Sequence, residues 1–157
     1  MTTLHGTLYT PGLIEDHGLK LRLGYQNQAP ESYLFGSYLT FPRGFEQSRT
    51  EQLFTFQSDY VFPLAYPDWN ILSLLYIKRF KSALFFDMAS NWFHQDRQWV
   101  QKSLYSYGAE VTSDFHVAKS SFPFSAGLRF SYLPQFSDHQ FEFIFGVDFY
   151  RIYSQTF

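Results

Sequence analysis

Phe122-Pro123-Phe124-Ser125-Ala126-Gly127-Leu128-Arg129-Phe130-Ser131-Tyr132 decides the fold class. Its even positions hold Phe, Phe, Ala, Leu, Phe and Tyr, and its odd positions hold Pro, Ser, Gly, Arg and Ser. One row is apolar without exception, and the other has no large apolar side chain. A period of two belongs to an extended strand with one wet face, because successive side chains point to opposite sides of a sheet. A helix would space its apolar residues at three and four. The period returns along the chain. Phe141, Phe143, Phe145, Val147 and Phe149 alternate with Glu142, Ile144, Gly146 and Asp148. Leu19, Leu21, Leu23 and Tyr25 oppose Lys20, Arg22, Gly24 and Gln26, and Phe54, Phe56, Tyr60 and Phe62 oppose Thr55, Gln57 and Asp59. Tyr105, Tyr107, Ala109 and Val111 oppose Ser106, Gly108, Glu110 and Thr112. The chain is an all-β protein.

Turn-forming clusters divide it: Pro11-Gly12, Gln28-Ala29-Pro30, Pro42-Arg43-Gly44, Tyr66-Pro67-Asp68, His94-Gln95-Asp96, Lys119-Ser120 and Pro134 to Asp138. About eight strands are expected between them, near 3–10, 18–28, 32–42, 51–64, 78–93, 102–118, 121–133 and 139–153, in one domain covering 1–157. Asn70 to Arg79 is compatible with a short turn. Most of these strands run about 10–14 residues, against roughly 5–6 in globular sheets and ~9–11 for a strand crossing a bilayer at a tilt.

Composition narrows the class. Of 157 residues, 22% are aromatic (20 Phe, 12 Tyr, 3 Trp), 17% are charged, none is Cys, and the net charge is -2. A disordered tail would be poor in aromatics and rich in charge. Disulfide frameworks and Cys-ligated zinc are excluded, and a nucleic-acid partner is not expected without a basic excess. The longest apolar-leaning stretch, Ile71 to Ile77, falls far below the roughly 18 residues of a spanning helix. Met1-Thr2-Thr3-Leu4 lacks a basic flank before an apolar block, so no signal peptide is expected. A mean hydropathy of -0.23 ordinarily reads as soluble. A transmembrane barrel defeats that reading, because lipid-facing and lumen-facing residues alternate and cancel in the average.

Two packings fit such rows. In a soluble calycin-like barrel the apolar row lines a cavity; in an outer-membrane barrel it meets lipid, and polar residues fill the lumen. Here the polar row carries Gly, Ser and Thr with isolated charges of both signs, including Lys20, Arg22, Asp59, Asp87, Glu110, Asp114, Arg129 and Asp148. Small residues mixed with opposed charges suit a crowded polar interior. Aromatics near strand ends, such as Tyr9, Tyr33, Trp92, Trp99, Tyr132 and Tyr153, suit an interfacial girdle. The final Phe157, after an alternating strand, looks like the insertion signal of outer-membrane barrels.

Phe41-Pro42-Arg43-Gly44-Phe45 resembles the V-R-G-F/Y motif of the BamA/TamA outer-membrane assembly superfamily, the bacterial surface antigens, with Pro42 in place of an aliphatic. Ser58-Asp59-Tyr60-Val61-Phe62-Pro63 is similar to the family's following strand. Phe85-Phe86-Asp87-Met88-Ala89 resembles its F-W-D-M-G segment, with Ala89 where Gly is usual. Ser106 to Glu110, Phe124 to Phe130 and Phe141 to Phe149 resemble the strands that close the barrel.

The resemblance implies an antiparallel transmembrane β-barrel in the bacterial outer membrane, of which this chain forms the C-terminal half of sixteen strands. It implies a loop folded back into the lumen, with Arg43, Gly44 and Phe45 as its motif and Asp87 as the partner of Arg43. Asp59, Glu110 and Arg129 would be further lumen-facing polar residues. With the Arg43 loop external, the connections at 11–17, 94–101 and 134–138 share its side. Pro30, Tyr66 to Trp69, Lys119-Ser120 and the C-terminus then face the periplasm. The implied role is assembly, translocation or anchoring, with outer-membrane lipid, other chain segments or the barrel-assembly machinery as partners. A self-contained eight-stranded structural or adhesive barrel and a soluble lipocalin-like binder are the alternatives.

Catalytic chemistry finds little footing. The five histidines show no ligand spacing, although His94-Gln95-Asp96 and Asp138-His139 place a carboxylate near an imidazole. No G-x-S-x-G or phosphate-cradling loop occurs. Neither an enzyme nor a cofactor or metal is expected.

Overall fold

The computed structural model describes residues 1–28, 38–48, 50–72, 74–95, 98–117 and 123–147. Among them are eight antiparallel strands in one sheet and no helix. These are β1 (Thr2–Pro11), β2 (Gly18–Asn27), β3 (Gln52–Ala65), β4 (Trp69–Ile71), β5 (Leu75–Gln95), β6 (Gln98–Val117), β7 (Phe124–Leu133) and β8 (Asp138–Val147). The spatial order is β1-β2-β3-β5-β6-β7-β8, and short β4 pairs with β5 alone. Pro63 has no N–H to give to a ladder, and the β3–β5 register slips between Pro63 and Ala65, as a bulge at proline requires.

Three expectations are corrected. β2 pairs directly with β3 from Gly18↔Val61 to Asn27↔Gln52, so no strand from 32–42 lies between them. Residues 38–42 belong to a loop instead, and 32–37 lie outside the described residues. Removing that strand reverses one turn. The 11–17 connection lies at the end of the sheet opposite the 43–50 loop, on the side of 66–68 and the end of β8. Finally, the sheet is not closed into a barrel: among the described residues β1 and β8 are its two separate edges. Seven strands stand side by side, one fewer than in the smallest outer-membrane barrels.

The registers carry the alternating rows onto consistent faces. Leu23, Phe56, Met88 and Tyr105 line up across β2, β3, β5 and β6, and Leu128 faces Phe143 across β7 and β8. This apolar face is open: Phe141 is 79% exposed, Phe143 71% and Leu128 63%. The opposite face buries Gln26, Thr55, Gln57, Asp59, Asp87, Asn91, Ser106 and Ser131. The usual inside and outside are exchanged.

Residues 38–45 pack against the polar face. Leu39 and Phe41 reach down to Leu53, Ala89 and Leu104 in a small buried apolar cluster, with Phe45 packed against it. Gly24 makes room, since a Cβ there would stand 2.7 Å from a Leu39 methyl. The loop's polar backbone is served by side chains: the Tyr38 N–H donates to Gln26 Oε1 at 2.9 Å.

Candidate functional site

The loop's lowest point is a four-residue turn. The Phe45 N–H donates to the Pro42 carbonyl at 3.1 Å, leaving Arg43 and Gly44 at the corners. Gly44 has φ 85°, a left-handed conformation that any side chain would strain. Arg43 is thereby presented to the polar face.

There it meets three carboxylates from three strands. Asp87 Oδ2 (β5) accepts the Arg43 backbone N–H at 3.0 Å and lies 3.2 Å from its Nε. Arg43 Nη1 donates to Glu110 Oε1 (β6) at 3.0 Å, and Nη2 pairs with Asp59 Oδ1 (β3). The guanidinium carbon lies 4.2 Å from the centre of the Phe85 ring. A planar fork of five donors can satisfy this set, whereas a lysine ammonium is a single point charge.

The network runs on to both sides. Arg22 Nη2 (β2) reaches Asp59 Oδ2 at 2.9 Å, and Arg129 (β7) joins Glu110 at 2.6 Å to Glu142 of β8 at 2.9 Å. Asp87 is wholly buried. Desolvating a carboxylate costs several kcal/mol, and the two Arg43 contacts offset part of that cost at Asp87. Its second oxygen and the hydroxyl of Ser106, opposite it in register, have no hydrogen-bond partner among the described residues.

Arg43, Asp87, Asp59 and Glu110, named from sequence, thus come together. Arg129 enters through Glu110 and does not serve Asp87. Gly44 forms the turn, and Phe45 packs on the apolar cluster and lies 6.0 Å from the Phe136 ring. Phe157 lies outside the described residues. Sequence reasoning did not put Arg22, Glu142 or Phe85 in this cluster. Parity marks all three as polar-face positions, but joining them to Arg43 requires the inter-strand register.

The loop ends in a second anchor. Buried Glu51 accepts the His94 backbone N–H at 2.9 Å and meets His94 Nδ1 at 2.7 Å. Burial alone would push its carboxyl up, but the two hydrogen bonds and the attraction of His94 prevail and hold it below 4.5. The His94 ring also packs 4.1 Å from that of Trp99. Asp138 accepts the His139 backbone N–H at 2.8 Å, and Asp96 lies outside the described residues. No group of three or more potential metal ligands occurs among the described residues. Comparison with family models, curated proteins and solved structures returned no match.

Proposed function

We propose that this chain is a segment of a larger outer-membrane β-barrel of the surface-antigen type, the C-terminal half of sixteen strands, serving outer-membrane protein assembly, translocation or anchoring. One observation carries the reading: the sheet exposes its Phe and Leu rows and buries Asp59, Asp87, Gln57 and Ser106 on the opposite face. Monomeric soluble proteins leave only a few hundred Å² of contiguous apolar surface uncovered, and hydrocarbon is the solvent that suits an open row of Phe and Leu. A lipocalin-like binder would turn these rows inward.

The Arg43 turn supports the family part of the reading. It lies on the polar face and pairs with Asp87 of the F-x-D segment. In a barrel this contact would hold the loop inside the lumen. The open edges support the larger barrel over a self-contained one. Among the described residues β1 and β8 have no outer neighbour, and unpaired N–H and C=O groups there would be prohibitively costly in lipid; on this reading further strands complete the wall. Extraction tests the proposal. The chain, expressed with whatever sequence precedes it, should stay with membranes through a urea wash and leave them only in detergent. Recovery as a monomer in detergent-free buffer would end the membrane reading.

A further inference from the structure

At the end of the sheet away from the loop, the polar face carries a cluster of basic side chains. Among the described residues, a cavity of about 240 Å³ is bordered by Lys78, Arg79, Lys81, His116, Ser125, Pro123, Phe124 and one carboxylate, Asp114. Arg79, Lys81 and Ser125 also border an adjoining cavity of about 440 Å³, where Asp16 and Glu110 balance the two cations. Three fixed cations against one carboxylate leave the smaller cavity at 3 − 1 = +2.

The donors are arranged for an external acceptor. Asp114 lies low, its side chain 14% exposed, while those of Arg79 and Lys81 are 42% and 33% exposed. Arg79 meets Asp114 through Nε at 2.5 Å, and Lys81 Nζ meets its other oxygen at 2.8 Å. The contact leaves both terminal nitrogens of Arg79 and two ammonium protons of Lys81 uncommitted to Asp114. The carboxylate sets the two side chains side by side, and their remaining donors border the cavity with the Ser125 hydroxyl.

We propose that this cavity binds an oxyanion of the phosphate type, carried by a water-soluble molecule. A planar guanidinium beside an ammonium is the donor set that such a group accepts bidentately and as a point charge. Six of the eight described residues that line the cavity are charged or polar, Pro123 and Phe124 being the apolar pair, which favours a soluble source over a lipid headgroup. The assignment depends on the sheet and its register, and holds whether or not lipid covers the other face.

Calorimetric titration of the detergent-solubilised chain with inorganic pyrophosphate tests it. Wild type should bind, and Arg79→Gln and Lys81→Gln should each weaken binding about tenfold. Asp114→Asn, which keeps an acceptor oxygen to place one donor and removes the competing charge, should tighten it severalfold. If Asp114→Asn does not fold, Lys78→Gln serves: a charge outside the triad must still weaken binding. Lys102→Gln, at the other end of the sheet, should change nothing. Absence of pyrophosphate binding, or indifference to both Arg79→Gln and Lys81→Gln, would overturn the site. Binding of phosphatidylglycerol in the micelle without binding of pyrophosphate would overturn its assignment to a soluble ligand.

Discussion

The two faces of β8 are made from neighbouring residues and have opposite fates. Phe141, Phe143 and Phe145 are exposed, while Gln140, Glu142 and Ile144 between them are half-buried. The same inversion runs through β3, where Thr55, Gln57 and Asp59 are buried beside half-exposed Phe54 and Phe56. Burial here does not follow hydrophobicity. It follows where the loop and the ion network lie, and the apolar rows are left exposed.

The inner face breaks most easily at Arg43. Arg43→Ala strands Asp87, Asp59 and Glu110, and removing one partner of a buried pair costs about 3–5 kcal/mol. Arg43→Lys should recover only part of that, since an ammonium cannot span three carboxylates. Urea unfolding midpoints in detergent measure both. On the outer face, Leu128→Arg should cost about 2–4 kcal/mol in a bilayer, as a mid-membrane cation does. The same change would be nearly neutral if that face met water, so the pair of substitutions asks whether the faces differ in kind.

The inversion itself was legible in the sequence: the rows around Leu128 and Phe143 and the parity of Asp87 needed only a period of two. Residues 38–42, expected at the end of a strand, form a loop for an instructive reason. Leu39 and Phe41 alternate with Tyr38 and Thr40 because an extended loop presses one side onto Leu53, Ala89 and Leu104. Period two therefore reports one-sided burial of extended chain, and a ladder is only one way to obtain it. That single error also put the 11–17 turn at the wrong end. The ion network was half legible. Its members lie on the polar rows, but which carboxylate meets which arginine depends on register, which no local pattern encodes.

Two smaller perturbations sharpen the contrast at the loop. Gly44→Ala forces a Cβ into φ 85° and to 3.0 Å from Leu133 and Gln140 atoms, for a loss of about 1–2 kcal/mol. The Glu51 anchor should show in pH. Its folded carboxyl titrates below 4.5, so its contribution is complete above the unfolded value and fades as pH falls through the lowered one. Glu51→Gln should remove that acid-side dependence, with a change below about 1 kcal/mol, measured as melting temperature against pH.

Because the chain has no cysteine, single nitroxide labels can be placed at 140 through 145 without altering other sites. Reconstituted in bilayers, labels at 141, 143 and 145 should collide freely with oxygen and poorly with a water-soluble nickel chelate, with that preference lost at 140, 142 and 144. Equal access of the chelate to the three phenylalanine positions would contradict a lipid-facing outer row.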